Sequence, residues 1–165
     1  MIALGIDPGL AATGFAVVET LSASGGGSQA HDWGCIKTGP RLSNPLRLGL
    51  IYRHVCQLIT RWSPGLVVIE EAFVNPKYPR AALQLGEVRG TVSVAAHNME
   101  VEVFEIKPSE VKLALTGRGL AGKEQVQSAI SRILRLSGKP TSPHATDALA
   151  LALTGLSRKG FLFYL

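Results

Sequence analysis

Three acidic residues and a histidine stand where their side chains could meet in the folded chain. Asp7 ends the first apolar run, "LGID", and is followed at once by a Pro-Gly turn. Glu70 ends the run "LVVIE" in the same way, and Asp147 follows His144 by three residues in "HATDALALAL". Clustered carboxylates repel one another unless a cation lies between them, and oxygen-rich sites suit Mg²⁺ or Mn²⁺. The pattern therefore indicates a divalent-metal site.

Such a site has a known use in phosphoryl chemistry. Two metal ions about 3.5–4 Å apart can activate a water molecule and stabilise the leaving oxygen of a phosphodiester. The chain carries 17 basic and 12 acidic residues, a net charge of +5, which favours a polyanionic partner. Taken singly, Asp7 is also typical of a turn former and Asp147 of an acid near a helix start. That alternative explains each residue alone but not their joint placement.

The apolar pattern predicts the elements that must position these residues. Strands at 2–7, 13–19 and about 31–38 form a meander, with "SASGGGSQA" as a flexible hairpin tip. Helices and strands then alternate, with strands at 66–70 and 101–106 and helices at 44–62, 79–98, 108–115, 123–136 and 143–157. This order predicts an α/β fold with a mixed sheet flanked by helices. Asp7 and Glu70 would share the carboxyl edge of that sheet, where open α/β sheets bind ligands.

Length and composition narrow the class of protein. A chain of 165 residues, 46% hydrophobic and 18% charged, predicts a single globular domain over residues 1–165. No apolar run approaches the ~20 residues of a membrane span, and the N-terminus has no basic segment of a signal peptide. We expect a cytoplasmic protein with no membrane segment. Cys35 and Cys56 form no C-x-x-C pair, so we expect reduced, half-buried thiols.

Five stretches, in order over nearly the whole chain, together resemble one family. They are "GIDPGLAATGFAVV", "VVIEEAF", "EVKLAL", "GKEQVQ" and "HATDALALAL". The chain resembles the RuvC family of Holliday-junction resolvases, which have a ribonuclease H-like fold. The resemblance implies a five-stranded mixed sheet and an endodeoxyribonuclease that uses divalent metal ions to make paired symmetric nicks in four-way junctions during DNA recombination and repair. The first stretch alone is less specific, because actin-like ATPases share a similar strand-turn-strand.

The resemblance also implies the catalytic metal ligands. It assigns them to Asp7, Glu70 and Asp147, with a fourth position at His144. The family's Glu-x-x-Phe spacing selects Glu70 over the adjacent Glu71. Many members carry Asp where this chain has His144, and a neutral imidazole is itself a metal ligand. We therefore expect two Mg²⁺ or Mn²⁺ ions per site, with Mn²⁺ favoured because manganese accepts nitrogen more readily.

Basic residues are candidates for DNA contacts. Lys112 and Lys123 match family lysines near the scissile phosphate, which implies a catalytic role, although either alone would be taken for a solvated helix lysine. Arg118, in "TGRGLAGK", is a predicted phosphate contact from its chemistry, without a firm family match.

An aromatic residue follows the Glu70 strand. Phe73 begins "FVNPKYPR", in which aromatic and basic residues interleave, and such an aromatic can stack on or wedge between unpaired bases. The resemblance favours this role over a core position. Lys77 and Arg80 would bind nucleic acid beside it.

The resemblance further implies a homodimer, because a two-fold enzyme matches a two-fold junction. Helix 79–98 resembles the family's dimer helix, although its pattern is also typical of intramolecular core. The residues concerned are Ala81, Leu85, Val88, Val92 and the pair Gly86 and Gly90. A branch-migration complex of RuvA and RuvB is the further partner implied.

Three other functions remain open from the residues. A ribonuclease H-like nuclease for RNA or another branched nucleic acid would keep the acids but need not keep Phe73 or the dimer helix. A phosphate-binding ATPase would need a second lobe, for which the chain leaves little room. A non-catalytic junction-binding protein would lose the acids.

Overall fold

The computed structural model describes residues 1–21, 27–71, 77–136 and 142–162. Over these ranges the chain forms one five-stranded sheet and five helices. The strands are β1 (Ile2–Asp7), β2 (Ala12–Thr20), β3 (Ser28–Lys37), β4 (Leu66–Glu70) and β5 (Glu102–Ile106). The helices are α1 (Asn44–Trp62), α2 (Pro79–Asn98), α3 (Pro108–Thr116), α4 (Lys123–Ile133) and α5 (Pro143–Arg158).

The sheet is mixed, as predicted. Its strand order is β3-β2-β1-β4-β5, with the first three strands antiparallel and β1, β4 and β5 parallel. Two predicted boundaries were wrong. Residues 28–30 belong to β3 rather than to the hairpin tip, because they pair with Val18, Glu19 and Thr20. Helix α4 ends at Ile133, shortly before Arg135 adopts a left-handed backbone with φ 50°. Residues 22–26 of the predicted tip lie outside the described residues.

Helices cover both faces of the sheet. On one face α1 and α2 pack on alternate strand residues such as Leu4 and Ile6. On the other face α3, α4 and α5 pack on the residues between them, such as Ala3 in β1 and Val68 in β4. Because strand side chains alternate between faces, Asp7 continues the Ala3 row and points to the α5 side.

Helix α5 is the central helix of the second face. From Ala145 to Leu156 every residue is buried except Asp147, which is half-buried. The helix lies unusually close to the sheet at two glycines. A methyl group on Gly5 of β1 would overlap the backbone of Ala148, and one on Gly14 of β2 would overlap the backbone of His144. These glycines let the first turn of α5 rest on the strands beside Asp7.

Helix α2 places part of the predicted dimer stripe in the core. Val88 and Val92 of the predicted stripe are fully buried in the chain's own core against α1 and the sheet. They cannot face a partner, so the stripe of Ala81, Leu85, Val88 and Val92 is not one exposed surface. Gly86 and Gly90 do lie on the exposed side of the helix, where an added methyl group would meet nothing within 4 Å.

The two cysteines, Cys35 and Cys56, are free and half-buried, as predicted. Within the described ranges, none of the helices combines the length and the apolar character that crossing a bilayer requires.

The close approach of α5 gives a test of the fold. We expect Gly5→Ala to lower the free energy of unfolding by about 1–3 kcal/mol or more, because the new methyl group meets backbone atoms of α5 that cannot rotate away. Chemical denaturation followed by circular dichroism measures this.

The matched control is Gly49→Ala in α1. There a methyl group would meet only the flexible end of Arg53, at 3.7 Å, so the free energy of unfolding should rise by about 0.5–1 kcal/mol from helix propensity. Equal effects of the two substitutions would contradict the close packing of α5.

Candidate active site

Asp7 and Glu70 end two adjacent parallel strands. Strands β1 and β4 pair from Ala3 with Leu66 to Ile6 with Ile69, so the next residues in register are the two acids. Both continue the strand rows that face α5. The strand register therefore brings the two carboxylates to one edge and one face of the sheet.

The first turns of α5 bring His144 and Asp147 over the same edge. Pro143 begins the helix after the extended residue Ser142, a position that suits proline because its nitrogen has no hydrogen to leave unpaired. Nδ1 of His144 lies 2.7 Å from Oδ2 of Asp7, at hydrogen-bond distance. The histidine thus contacts the carboxylate on β1 directly.

The pKa values of all three carboxyl groups are raised, with burial as the largest cause in each case. Burial raises the pKa of Asp7, and the charge of Asp147 adds to this while the hydrogen bond of His144 opposes it. Burial also raises the pKa of Glu70, helped by the charges of Asp7 and Asp147. The pKa of Asp147 is raised by burial, against the nearby lysines and His144. The site holds more negative charge than its surroundings stabilise.

Two lysines complete the site from α3 and α4. The positive charges of Lys112 and Lys123 partly offset the rise in the pKa of both Glu70 and Asp147. All four residues line a cleft of about 240 Å³ whose other walls are mostly apolar. Lys123 is the first residue of α4 and Lys112 lies in the middle of α3, so the packing of these two helices on α5 places both ammonium groups beside the acids. The arrangement can bind an anion next to the carboxylates.

The other predicted site residues are not among the described residues that line the cleft. Arg118 is exposed on the loop after α3. Among the described residues, it is not one of the charged groups that shift the pKa values of the three site acids. Lys77 and Arg80 are exposed around the start of α2. Phe73 lies outside the described residues.

The donor set fits a divalent cation. Among the residues that the structure describes, no three His, Cys, Asp or Glu side chains converge tightly enough to form a ready-made metal cage. Carboxylates that repel are expected to stand apart until a cation joins them. The charge of Asp147 raises the pKa of both Asp7 and Glu70, so the groups are close enough to interact. Hard oxygen donors of this kind suit Mg²⁺ and Mn²⁺.

Cys35 is a neighbour that sequence reasoning missed. Asp7 pairs with Gly14 and Gly14 pairs with Cys35, so the three residues form one row across the sheet. Burial raises the pKa of the Cys35 thiol, and the negative charge of Asp7 raises it further. A hydrogen bond with Ser142 opposes this rise. No sequence motif marks this position, because only the strand register places it there.

Comparison with known proteins identifies the family. Residues 3–155 match the family described as crossover junction endodeoxyribonuclease RuvC. The chain belongs to the RuvC family. A crossover junction endodeoxyribonuclease RuvC of Chlorobium phaeovibrioides is 45% identical over 163 residues, which cover 97% of this chain and 83% of the relative.

Solved structures agree with the fold. The Thermus thermophilus RuvC structure superposes with a TM-score of 0.88 at 34% identity, covering 98% of both chains. The structure of T. thermophilus RuvC in complex with Holliday junction substrate superposes at 0.89 with 35% identity, covering 98% of this chain and 97% of that one. The fold is therefore the ribonuclease H-like fold of RuvC, as the resemblance implied.

The raised pKa values of the acids predict an unusual effect on stability. Because the folded carboxyl groups bind protons more tightly than the unfolded ones, metal-free protein should gain stability from them as the pH falls through the raised pKa values, and the gain should level off below the ordinary values. Glu70→Gln removes one charge and should therefore raise Tm at pH 7, and this advantage should shrink toward pH 4. Thermal unfolding in chelator across this range measures it.

Glu124→Gln serves as the control for this measurement. Glu124 is an exposed acid in the first turn of α4, where a negative charge is favourable, so its loss should leave Tm unchanged or slightly lower. A Glu70→Gln protein less stable than wild type at pH 7 would show that the carboxylate is well compensated.

Proposed function

We propose that this chain is a metal-dependent endodeoxyribonuclease that resolves four-way DNA junctions by paired symmetric nicks, in recombination and repair. The observation that carries the proposal is the meeting of Asp7, Glu70 and Asp147 at one sheet edge beside two lysines, in a chain of the RuvC family. The T. thermophilus RuvC that superposes on this chain was solved with Holliday junction substrate, which supports the choice of DNA over RNA.

Asp7, Glu70, Asp147 and His144 are the residues that would hold the metal ions. When bound, divalent ions supply an activated water and stabilise the leaving oxygen. We further propose two ions per site.

The protein's own groups bind and orient the substrate. Lys112 and Lys123 stand beside Glu70 and Asp147, where their ammonium groups can bind the scissile phosphate and stabilise the negative charge that develops on it. Apolar side chains form most of the remaining lining of the cleft, and a less polar surrounding strengthens such charge interactions. His144 holds the Asp7 carboxylate through Nδ1, which fixes the orientation of that group.

Arg118, Phe73, Lys77 and Arg80 remain predicted DNA contacts.

A homodimer follows from the proposed substrate, and the exposed side of α2 is its proposed interface. Leu83 and Val94 are 71% and 53% exposed there, and Gly86 and Gly90 lie between them on the same side. Small residues let two helices approach closely, and exposed apolar residues at helical spacing are typical of an interface. A branch-migration complex of RuvA and RuvB remains the further partner that the family implies.

The direct test is a cleavage assay. A mobile four-way junction, linear duplex DNA and structured RNA of matched length are incubated with the protein, with Mg²⁺, with Mn²⁺ or without either, and the nicks are mapped. The proposal requires metal-dependent nicks at symmetric positions of the junction and little cutting of the duplex or the RNA. Preferential cutting of RNA would favour the other class of ribonuclease H-like nuclease.

The carboxylates should separate cutting from binding. We expect Asp7→Asn, Glu70→Gln and Asp147→Asn each to lower the rate of junction cleavage at least about 100-fold, because each removes a metal ligand. Junction affinity, measured by gel shift in chelator, should stay equal or become tighter, since basic residues carry the binding and each change removes a charge that repels phosphate. Glu124→Gln is the matched control and should cut normally. Wild-type cutting by any of the three variants would remove that residue from the site.

The proposed preference for Mn²⁺ over Mg²⁺ depends on the imidazole of His144. Its Nδ1 is engaged by Asp7, which leaves Nε2 as the ring nitrogen for a metal ion, and manganese accepts nitrogen more readily than magnesium. We therefore expect higher activity with Mn²⁺ than with Mg²⁺, a shift toward Mg²⁺ in His144→Asp, and very little activity in His144→Ala. Cleavage rates across a titration of each metal measure this. A fully active His144→Ala protein with unchanged metal preference would contradict the assignment.

A further inference from the structure

A long basic segment is not used by the proposed chemistry. Between Asp32 and Glu70 the sequence contains five Lys or Arg residues and no Asp or Glu. The five are Lys37, Arg41, Arg47, Arg53 and Arg61. They lie on the last residue of β3, on the loop after it and along α1, whereas Lys112 and Lys123 lie on the helices of the opposite face.

One of these residues, Arg47, is held in a fixed position. Its Nε donates a hydrogen bond to Oγ1 of Thr38 at 2.8 Å. Thr38 is buried, its hydroxyl donates to the carbonyl oxygen of Leu10, and its backbone N–H donates to the carbonyl oxygen of Ala11 at 3.1 Å. Leu10 and Ala11 belong to the turn that follows Asp7. A short chain of hydrogen bonds thus ties the Arg47 side chain to the turn beside the carboxylates.

Among the described residues, no acid pairs with the charge of Arg47. Across the described ranges, its side chain forms no ion pair, whereas Arg61 pairs with Asp32 at 3.7 Å and Arg89 pairs with Glu105. The bond from Nε uses one of the five N–H donors of a guanidinium group, which leaves the two terminal nitrogens to bind a ligand. A half-buried arginine with a fixed Nε and no acid partner suits the bidentate binding of a phosphate.

The topology places Arg47 on the far side of the carboxylates from the two lysines. Strand β3 runs parallel to β1, so Thr38 lies at the same edge of the sheet as Asp7. The order β3-β2-β1-β4-β5 puts β3 two strand spacings, about 10 Å, to one side of β1, whereas Glu70 and the lysine cleft lie on the side of β4. Basic groups therefore lie on the β3 side as well as on the β4 side of the acids, with Arg47 toward the α1 face of the sheet and the lysines on the face that carries the acids.

We propose that Arg47, positioned by Thr38, binds a phosphate of the junction away from the cut, on the β3 side of the carboxylates, whereas Lys112 and Lys123 lie on the β4 side. Lys37 and Arg41 extend this surface. The inference rests on the proposed function, because the phosphate belongs to the DNA that the nuclease cuts. Two anchors on either side of the acids would set the direction in which DNA crosses the site, and one anchor alone would leave it free to pivot.

The test measures junction affinity as a function of salt. All proteins carry Asp7→Asn so that no cutting occurs, and dissociation constants for a four-way junction are measured between 50 and 200 mM potassium chloride, roughly the range over which phosphate contacts dominate the salt dependence. We expect Arg47→Ala to weaken binding about tenfold and to reduce the slope of log K against log salt by about 0.9, the value for one phosphate contact. Thr38→Val keeps the shape but removes the hydroxyl, and should weaken binding by a smaller factor.

Two further variants serve as controls. Arg61→Ala removes the same charge from the other end of α1, where the arginine is already paired with Asp32, and should leave the slope unchanged. Arg47→Lys keeps the charge and most of the side-chain stem, so it should fold and should recover most of the slope. This variant keeps the inference testable if Arg47→Ala unfolds.

The outcomes separate this inference from the function. A parent protein that binds four-way junctions no better than linear duplex would contradict the proposed function itself. A parent that prefers junctions, combined with an Arg47→Ala slope equal to that of the parent, would overturn the phosphate contact alone. Loss of thermal stability in Arg47→Ala without a change of slope would mean that the arginine only joins α1 to Thr38, the residue after β3, and would overturn the inference as well.

Discussion

The packing of α5 against β1 and β2 is the contact on which the site depends. Gly5 and Gly14 have no side chain to hold the helix away, so backbone atoms of Ala148 and His144 occupy the space that a methyl group would need. The distance between helix and sheet is therefore set by backbone contact, which is much stiffer than contact between flexible side chains. This stiffness is what allows His144 of the helix to meet Asp7 of the strand at 2.7 Å.

The same packing creates an electrostatic cost. Three carboxylates are brought together where burial already disfavours their charge, and their pKa values rise as a result. A structure selected for stability alone would place neutral residues here. The unfavourable charge is instead what makes the edge attractive to divalent cations, so stability is lost where affinity for metal is gained. Lys112 and Lys123 reduce the repulsion only in part, since the pKa values remain raised despite them.

Positive charge is distributed around this negative centre rather than mixed with it. The lysines stand in the cleft beside Glu70 and Asp147, and Arg47 is held on the other side through Thr38. A polyanion that bound both regions would extend from the β3 side to the β4 side of the sheet edge where the acids lie. Such a distribution of charge favours the binding of a polyanion near the edge that carries the candidate acids.

The candidate acids could be predicted from sequence because Asp7 and Glu70 end strands and Asp147 lies in the first turns of a helix. Apolar runs ending in Asp7 and Glu70 indicate strand ends, and the helical spacing after Pro143 indicates a first turn, since backbone geometry and side-chain period are local properties. The mixed sheet and nearly all helix bounds followed from the same periodicity. The ends of β3 and α4 did not, because strand pairing in one case and a left-handed residue in the other decided where each element stops.

Contacts between distant segments were decided by the tertiary structure alone. Cys35 lies in the row of Asp7 only through the register of three strands, and a shift by one residue would turn it to the other face. Val88 and Val92 match an interface stripe in sequence, yet they are core because α1 and the sheet cover that side of α2. The sequence by itself determined which residues end the strands and begin the helices. Only the folded chain decided which of them touch, because register, helix packing and burial depend on segments far apart along the chain.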